Sequence, residues 1–196
     1  MFWVDVATFS LDALTKKMLA KTAKEALEDM PEAVRKEHPE MVEHLDEVDN
    51  IKNIDEGFEG GKILDENDLD ELTKNLKLKF GTNLELVEEF KDKSVLAQFV
   101  AETNTIRYKK GATNYQIFHE SLHAEECYKI GKPNYLKGSS QYGGTISEQI
   151  QRTYEREKYV YERIKLNAKK QGFNERELEH NQLLFDWHSY NLKHYK

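Results

Sequence analysis

The stretch YQIFHESLHAEECYKIG, Tyr115–Gly131, decides how the rest of the chain is read. His119 and His123 stand four residues apart and Glu120 directly follows the first, an HExxH pattern. On a helix, residues four apart share a face about one turn, roughly 6 Å, apart. That spacing lets both imidazoles bind one Zn2+ at about 2.0–2.1 Å. It also sets Glu120 beside them, placed to take a proton from a water on the metal. Thr113 and Gln116 form a capping-box pair, and Gly131 followed by Pro133 is a stop signal, so a helix is expected over about 114–130. Ile117, Phe118, Leu122, Ala124 and Cys127 put apolar groups all round it, so it should be largely buried. Two readings compete with a metal site: a chance match, and a surface helix with solvated histidines. The second conflicts with burial, because two histidines and a glutamate on a buried helix need partners. His119 and His123 are therefore expected as metal ligands and Glu120 as general base.

A catalytic zinc site usually takes three protein ligands and keeps one open position. No HxxGxxH continuation follows, since the next residues are AEECYKIG. The expected third ligand is then a glutamate on a second helix. Thr145 and Glu148 are a second capping-box pair, opening a long helix that Gly172 ends. It carries four candidates. Glu148 is accounted for as a cap, and Glu155 and Glu162 share a polar stripe with Gln151 and Lys158. Glu157 lies among Ile150, Tyr154, Tyr161 and Ile164. A carboxylate in an apolar stripe needs a partner, and the missing ligand position supplies one; a salt bridge to a core arginine or lysine is the competing reading. Tyr161, with Tyr159, is a candidate to hold a substrate oxyanion, against ordinary core packing. Glu126 is a candidate to orient an imidazole, against the simpler reading of a surface acid, which is favoured here. His180, His188 and His194, on a last helix opened by Asn174 and Glu177, read as polar or packing residues. Cys127 reads as a packed helix residue.

Upstream of the motif, DLDELTKNLKLKFG spaces Leu69, Leu72, Leu76 and Phe80 as a helix that stops at Gly81. LELVEEF, VLAQFVA and TIRYKK read as short strands, and 84–110 is expected to form a small antiparallel sheet ending in a hairpin. The fold class is thus α+β: a small sheet packed on a buried HExxH helix, with further long helices. Residues 1–64 read as a separate helical N-terminal region, linker or scaffold, with an amphipathic helix over Ser10–Met30 and a glycine-rich loop at NIDEGFEGGK. Residues 65–196 form the expected catalytic domain.

The chain's 196 residues are 38% hydrophobic and 11% aromatic, which is globular composition, while a net charge of −7 argues against nucleic acid. No run of 18 apolar residues suggests a membrane span, and the first residues lack the basic start of a standard signal peptide. A single cysteine allows no internal disulfide framework.

FHESLHAEECYKIG, followed by TYEREKYVYERI and preceded by VLAQFVAETNTIRYKKGATNYQ, resembles the zincin-like metallopeptidase toxin domains of bacterial polymorphic toxin and phage-associated systems. The resemblance covers about residues 70–195. It implies a minimal zincin fold, Zn2+ held by His119, His123 and a downstream glutamate, and Glu120 as general base; by position within REKYVY that glutamate is Glu157. It also implies a bacterial or phage protein delivered as part of a larger secreted or injected polypeptide (otherwise cytoplasmic), a peptide or protein substrate, and a cognate immunity protein as partner. Two functions follow as expectations. One is a zinc-dependent endopeptidase, with TIRYKK pairing an extended substrate by strand addition. The other is a catalytically silent zincin-fold structural or interaction protein with a stabilising metal.

Overall fold

A computed structural model describes residues 57–92 and 95–194. The amphipathic helix expected over Ser10–Met30 lies outside them. Helix α1 (Glu66–Phe80) leads into strand β1 (Asn83–Leu86), then β2 (Ala97–Val100) and β3 (Thr105–Tyr108). Helix α2 (Asn114–Ile130) carries the HExxH motif, and a short α3 (Lys132–Leu136) precedes the long α4 (Ile146–Gln171) and α5 (Glu175–His194). The architecture is α+β and matches a minimal zincin-like fold.

The helix ends follow from local chemistry. Asp65 with Asp68, Thr113 with Gln116, and Thr145 with Glu148 each close a reciprocal capping box, satisfying amide donors that have no partner within the first turn. Gly81 and Gly172 end α1 and α4 in the left-handed conformation, at φ 67° and 70°, where a side chain would be strained. Pro133 plays two parts. It bars continuation of α2 and sits in the first turn of α3, where its missing N–H is no loss. Tyr135 and Leu136 belong to α3 and are buried, so the glycine-containing loop that follows begins only after them.

The sheet is mixed rather than wholly antiparallel. Its order is β1-β3-β2: β2 pairs antiparallel with β3, with Phe99 opposite Ile106, while β1 pairs parallel with β3, with Leu84 opposite Ile106. The reason is topological. The connection after β1 crosses the end of the sheet before β2 starts, and β3 returns into the gap between them. β3 is consequently the central strand, with both edges filled. TIRYKK cannot pair with an added peptide, and the unpaired edges belong to β1 and β2.

Helix α2 is buried because it lies between two apolar clusters. On the sheet side Ile117, Ala124 and Cys127 pack with Leu76, Phe99, Ile106, Tyr135 and Leu136. On the other side Tyr115 and Leu122 pack with Val160 and Ile164 of α4, with Phe58, Phe118 and Phe173 at the margin. Burying apolar surface on both faces fixes the helix between sheet and α4, which explains its lack of a one-sided apolar stripe. The segment before α1 joins the same body: Ile63 bridges Thr113, and the Phe58 ring stands edge-on to His180 at 4.9 Å.

Candidate metal centre

The motif residues project from the middle of α2, where neither end can fray. His119, Glu120 and His123 are 4%, 1% and 2% exposed. The two histidine Nε2 atoms are 3.2 Å apart, with the rings tilted at 67°. Across from them Glu157, 3% exposed, enters from α4. One of its oxygens is 3.3 Å from His123 Nε2 and the other 3.5 Å from His119 Nε2. A tetrahedral zinc with ligand bonds of about 2.0–2.1 Å separates its ligand atoms by about 3.3–3.4 Å. The contacts approach that spacing, each histidine nitrogen meeting its own carboxylate oxygen, and two imidazoles with a carboxylate form a donor set that suits zinc.

The charges reinforce one another. Burial alone would raise the Glu157 carboxyl, but His123 and His119 together hold it well below the usual carboxylate range. Burial alone would lower the His123 imidazole, and the Glu157 charge and hydrogen bond, with Glu120 and Glu126, outweigh it and raise it. Glu120, unlike Glu157, is raised: burial lifts it, against the pull of both histidines and of a backbone amide. That amide is Phe99 N–H, which donates to Glu120 Oε2 at 2.7 Å. Phe99 lies on the edge strand β2, so the outer edge of the sheet fixes the glutamate beside the histidines.

The other glutamates of α4 behave as their stripe suggests. Glu155 is exposed and accepts from Gln151 and Arg152, Glu162 is exposed beside Lys158, and Glu148 caps the helix. The apolar stripe around Glu157 is divided between two neighbours. Val160 and Ile164 face α2, whereas Tyr154 and Tyr161 face Phe185 of α5, Tyr161 stacking at 4.3 Å. The Tyr161 hydroxyl donates to Gln182 at 2.5 Å, so this candidate for an oxyanion is engaged at the α4–α5 interface. Tyr159 donates to Glu125 at the surface of α2.

One residue differs from the simpler sequence reading and another is placed more closely than the sequence could tell. Glu126 is not a surface acid: it is 6% exposed and accepts from Arg152 of α4 at 3.2 Å. His188, read as ordinary, is 5% exposed. Burial lowers its imidazole, which also feels the charges of Glu157, His119 and His123. Its place follows from the helix pairing: Phe185 touches both Tyr154 and Tyr161, so it lies level with Glu157, and His188 is one turn further along α5. No lone residue of α5 carries a motif that would have revealed this from sequence. Cys127 is packed in the sheet-side cluster, and burial raises its thiol.

A buried helix bearing HExxH, a glutamate from a second helix and a small sheet whose edge holds the middle glutamate define the zincin-like metallopeptidases as a class. Residues 53–188 match the metallopeptidase toxin 4 family, and the chain belongs to that family. No curated protein and no solved structure matches the chain. Among the described residues, no helix is long and apolar enough to cross a membrane.

Proposed function

We propose that this chain is a zinc-dependent endopeptidase that acts as the toxin domain of a secreted or injected bacterial or phage-associated protein. The observation that carries the reading is the convergence of His119, His123 and Glu157, all buried, on one point flanked by Glu120. These three residues would hold Zn2+. When bound, zinc supplies a Lewis acid for the scissile carbonyl and makes a water acidic enough to react near neutral pH. Glu120 takes the proton of the attacking water and returns it to the leaving amine. Phe99 N–H occupies Oε2 and leaves Oε1 to carry the proton.

The sheet order supports β2 as the strand that aligns an extended substrate, because β3 is enclosed and the outer edge of β2 borders Glu120; with Phe99 N–H already given to Glu120, the pairing falls to the other outward groups of that edge. Strand addition there would offer backbone pairing with little demand on substrate side chains. A toxin of this kind needs restraint in the cell that makes it, which supports a cognate immunity protein as its partner.

The test is incubation of the purified, zinc-loaded chain with an unstructured protein such as casein, beside its Glu120→Gln variant. Peptides released by the wild type and not by the variant are expected. Intact substrate with both proteins, across a peptide mixture of broad composition as well, would leave the fold as a silent scaffold.

A further inference from the structure

Near His123 two buried polar atoms stand without a hydrogen-bond partner: its own Nδ1 and Glu126 Oε2. One can donate a proton and the other can only accept. They belong to one helix, three residues apart, a spacing that brings side chains together on the helix surface. A buried polar group left without a hydrogen bond is costly, and more so where a charge is involved. The two are not bonded to each other in this structure, and a side-chain rotation that joins them would relieve both.

The Glu126 carboxylate is already held from the other side. Arg152 of α4 donates to Oε1 at 3.2 Å, with its side chain 16% exposed. Arg152 is itself fixed: it donates to Glu155 at 3.2 Å and to the Tyr135 carbonyl at 3.4 Å. Its guanidinium lies 5.7 Å from the Tyr135 ring centroid. Arg156, one turn on, also donates to the Tyr135 carbonyl and lies 4.3 Å from the ring centroid. The helix that contributes Glu157 therefore also anchors Glu126, one turn away from it. Helix α4 thus meets His123 directly through Glu157, which faces Nε2, and holds through Arg152 the carboxylate of Glu126, whose charge His123 feels.

We propose that Glu126 is the positioning residue of His123, its Oε2 accepting the Nδ1 proton while Arg152 holds Oε1. This inference rests on the metal-centre reading above. Such a bond fixes the tautomer with Nε2 unprotonated, the form a metal ligand needs, and makes that nitrogen a better donor. An imidazole free to protonate at Nε2 would instead compete with the metal for the same lone pair.

The experiment measures zinc affinity by competition with a chromophoric chelator for wild type, Glu126→Ala, Glu126→Gln and Glu125→Gln. Glu126→Ala is expected to weaken zinc binding about 10–100-fold. Glu126→Gln keeps an acceptor oxygen and should recover part of the loss. Glu125→Gln, at a half-buried carboxylate that meets Lys129, Tyr159 and Arg163, should match wild type. In parallel, nitrogen–proton NMR of the zinc-loaded wild type should show His123 protonated at Nδ1, with a slowly exchanging proton whose resonance moves in Glu126→Gln. This measurement on the wild type holds even if the alanine variant does not fold. Equal zinc affinity in all four proteins, or a rapidly exchanging Nδ1 proton, overturns the inference and leaves the metal centre standing. A wild type that takes up no zinc overturns both.

Discussion

Glu157 and His123 face each other at 3.3 Å across the gap between α4 and α2, both almost fully buried. A carboxylate and an imidazole this deep in a protein cost several kcal/mol in lost hydration unless each finds a partner. Without metal they are partners to each other, and His119 completes the set at 3.5 Å. With metal the same atoms turn to the ion, so the cost of burying them is met in both states.

Removing Glu157 should therefore matter twice. Glu157→Ala is expected to lower zinc affinity sharply, because one of three protein donors is gone. It should also destabilise the metal-free protein, by about 3–5 kcal/mol, because breaking a buried pair leaves the other charge uncompensated. Glu155→Ala and Glu162→Ala lie on the exposed stripe of the same helix and should stay within about ±0.5 kcal/mol, with zinc affinity unchanged. Chelator competition and urea unfolding on the three variants check this. A sharp loss of zinc in Glu162→Ala would mean that α4 presents a different face to the motif.

Glu120→Gln tests a different role. The glutamate is assigned to proton transfer, so the variant should bind zinc as wild type does while hydrolysis falls by about 10²–10⁴-fold. The glutamine oxygen can still accept from Phe99 N–H, which keeps the local fold. Elemental analysis of the purified variant should return one zinc per chain, as for wild type. Loss of the metal together with activity would make Glu120 a ligand or a structural anchor instead.

The helices and the histidine pair were legible in the sequence because their determinants are local. Thr113 with Gln116 and Thr145 with Glu148 lie within one turn of each other, and each pair closes as a capping box. The burial of Glu157 beside the two histidines was legible for a related reason, as an acid among apolar neighbours on one helix. The strand order was not, because β3 enters between β1 and β2 through pairings some 22 residues apart, such as Asn83 with Thr105. Glu126 was misread because its burial depends on Arg152, a residue 26 positions away on another helix. Tyr161 shares an apolar stripe with Glu157, but a stripe flanked by two helices does not reveal which neighbour each side chain meets; here it meets Phe185.

Core packing beneath the centre should be as important as the ligands. Ile164 is fully buried with Tyr115, Leu122 and Val160, in the layer that holds α4 against α2. Ile164→Ala is expected to cost about 2–5 kcal/mol through lost apolar contact and the cavity left behind. Leu166→Ala, two residues along and 78% exposed, should change little. Denaturant unfolding of the metal-free proteins compares the two directly. An equal effect in both would mean that α4 is rotated from the orientation described.

The pH dependence of stability should reverse when zinc is added. In the metal-free protein the His123 imidazole is raised, so its contribution is fully present below its unfolded value of about 6.5 and is lost as pH rises through the folded one. Glu120, raised by burial, has the same sign: its stability cost develops as pH rises above the ordinary carboxylate value of about 4.3. Glu157 is held low, so its contribution is present above that value and lost only in acid. His188 is lowered by burial and costs stability below about pH 6.5, where its unfolded form gains a proton. Above about pH 6.5 it is neutral in both states and drops out. The metal-free protein should then lose stability as pH rises from about 6.5 towards 8. Zinc needs both imidazoles deprotonated, so its binding strengthens over the same interval. The rise in melting temperature on adding one equivalent of zinc should accordingly be larger at pH 8 than at pH 6. Thermal scans of chelated and zinc-loaded protein across this range measure both slopes. A metal-free protein that grows steadily more stable up to pH 8 would mean that His123 is not held charged by Glu157.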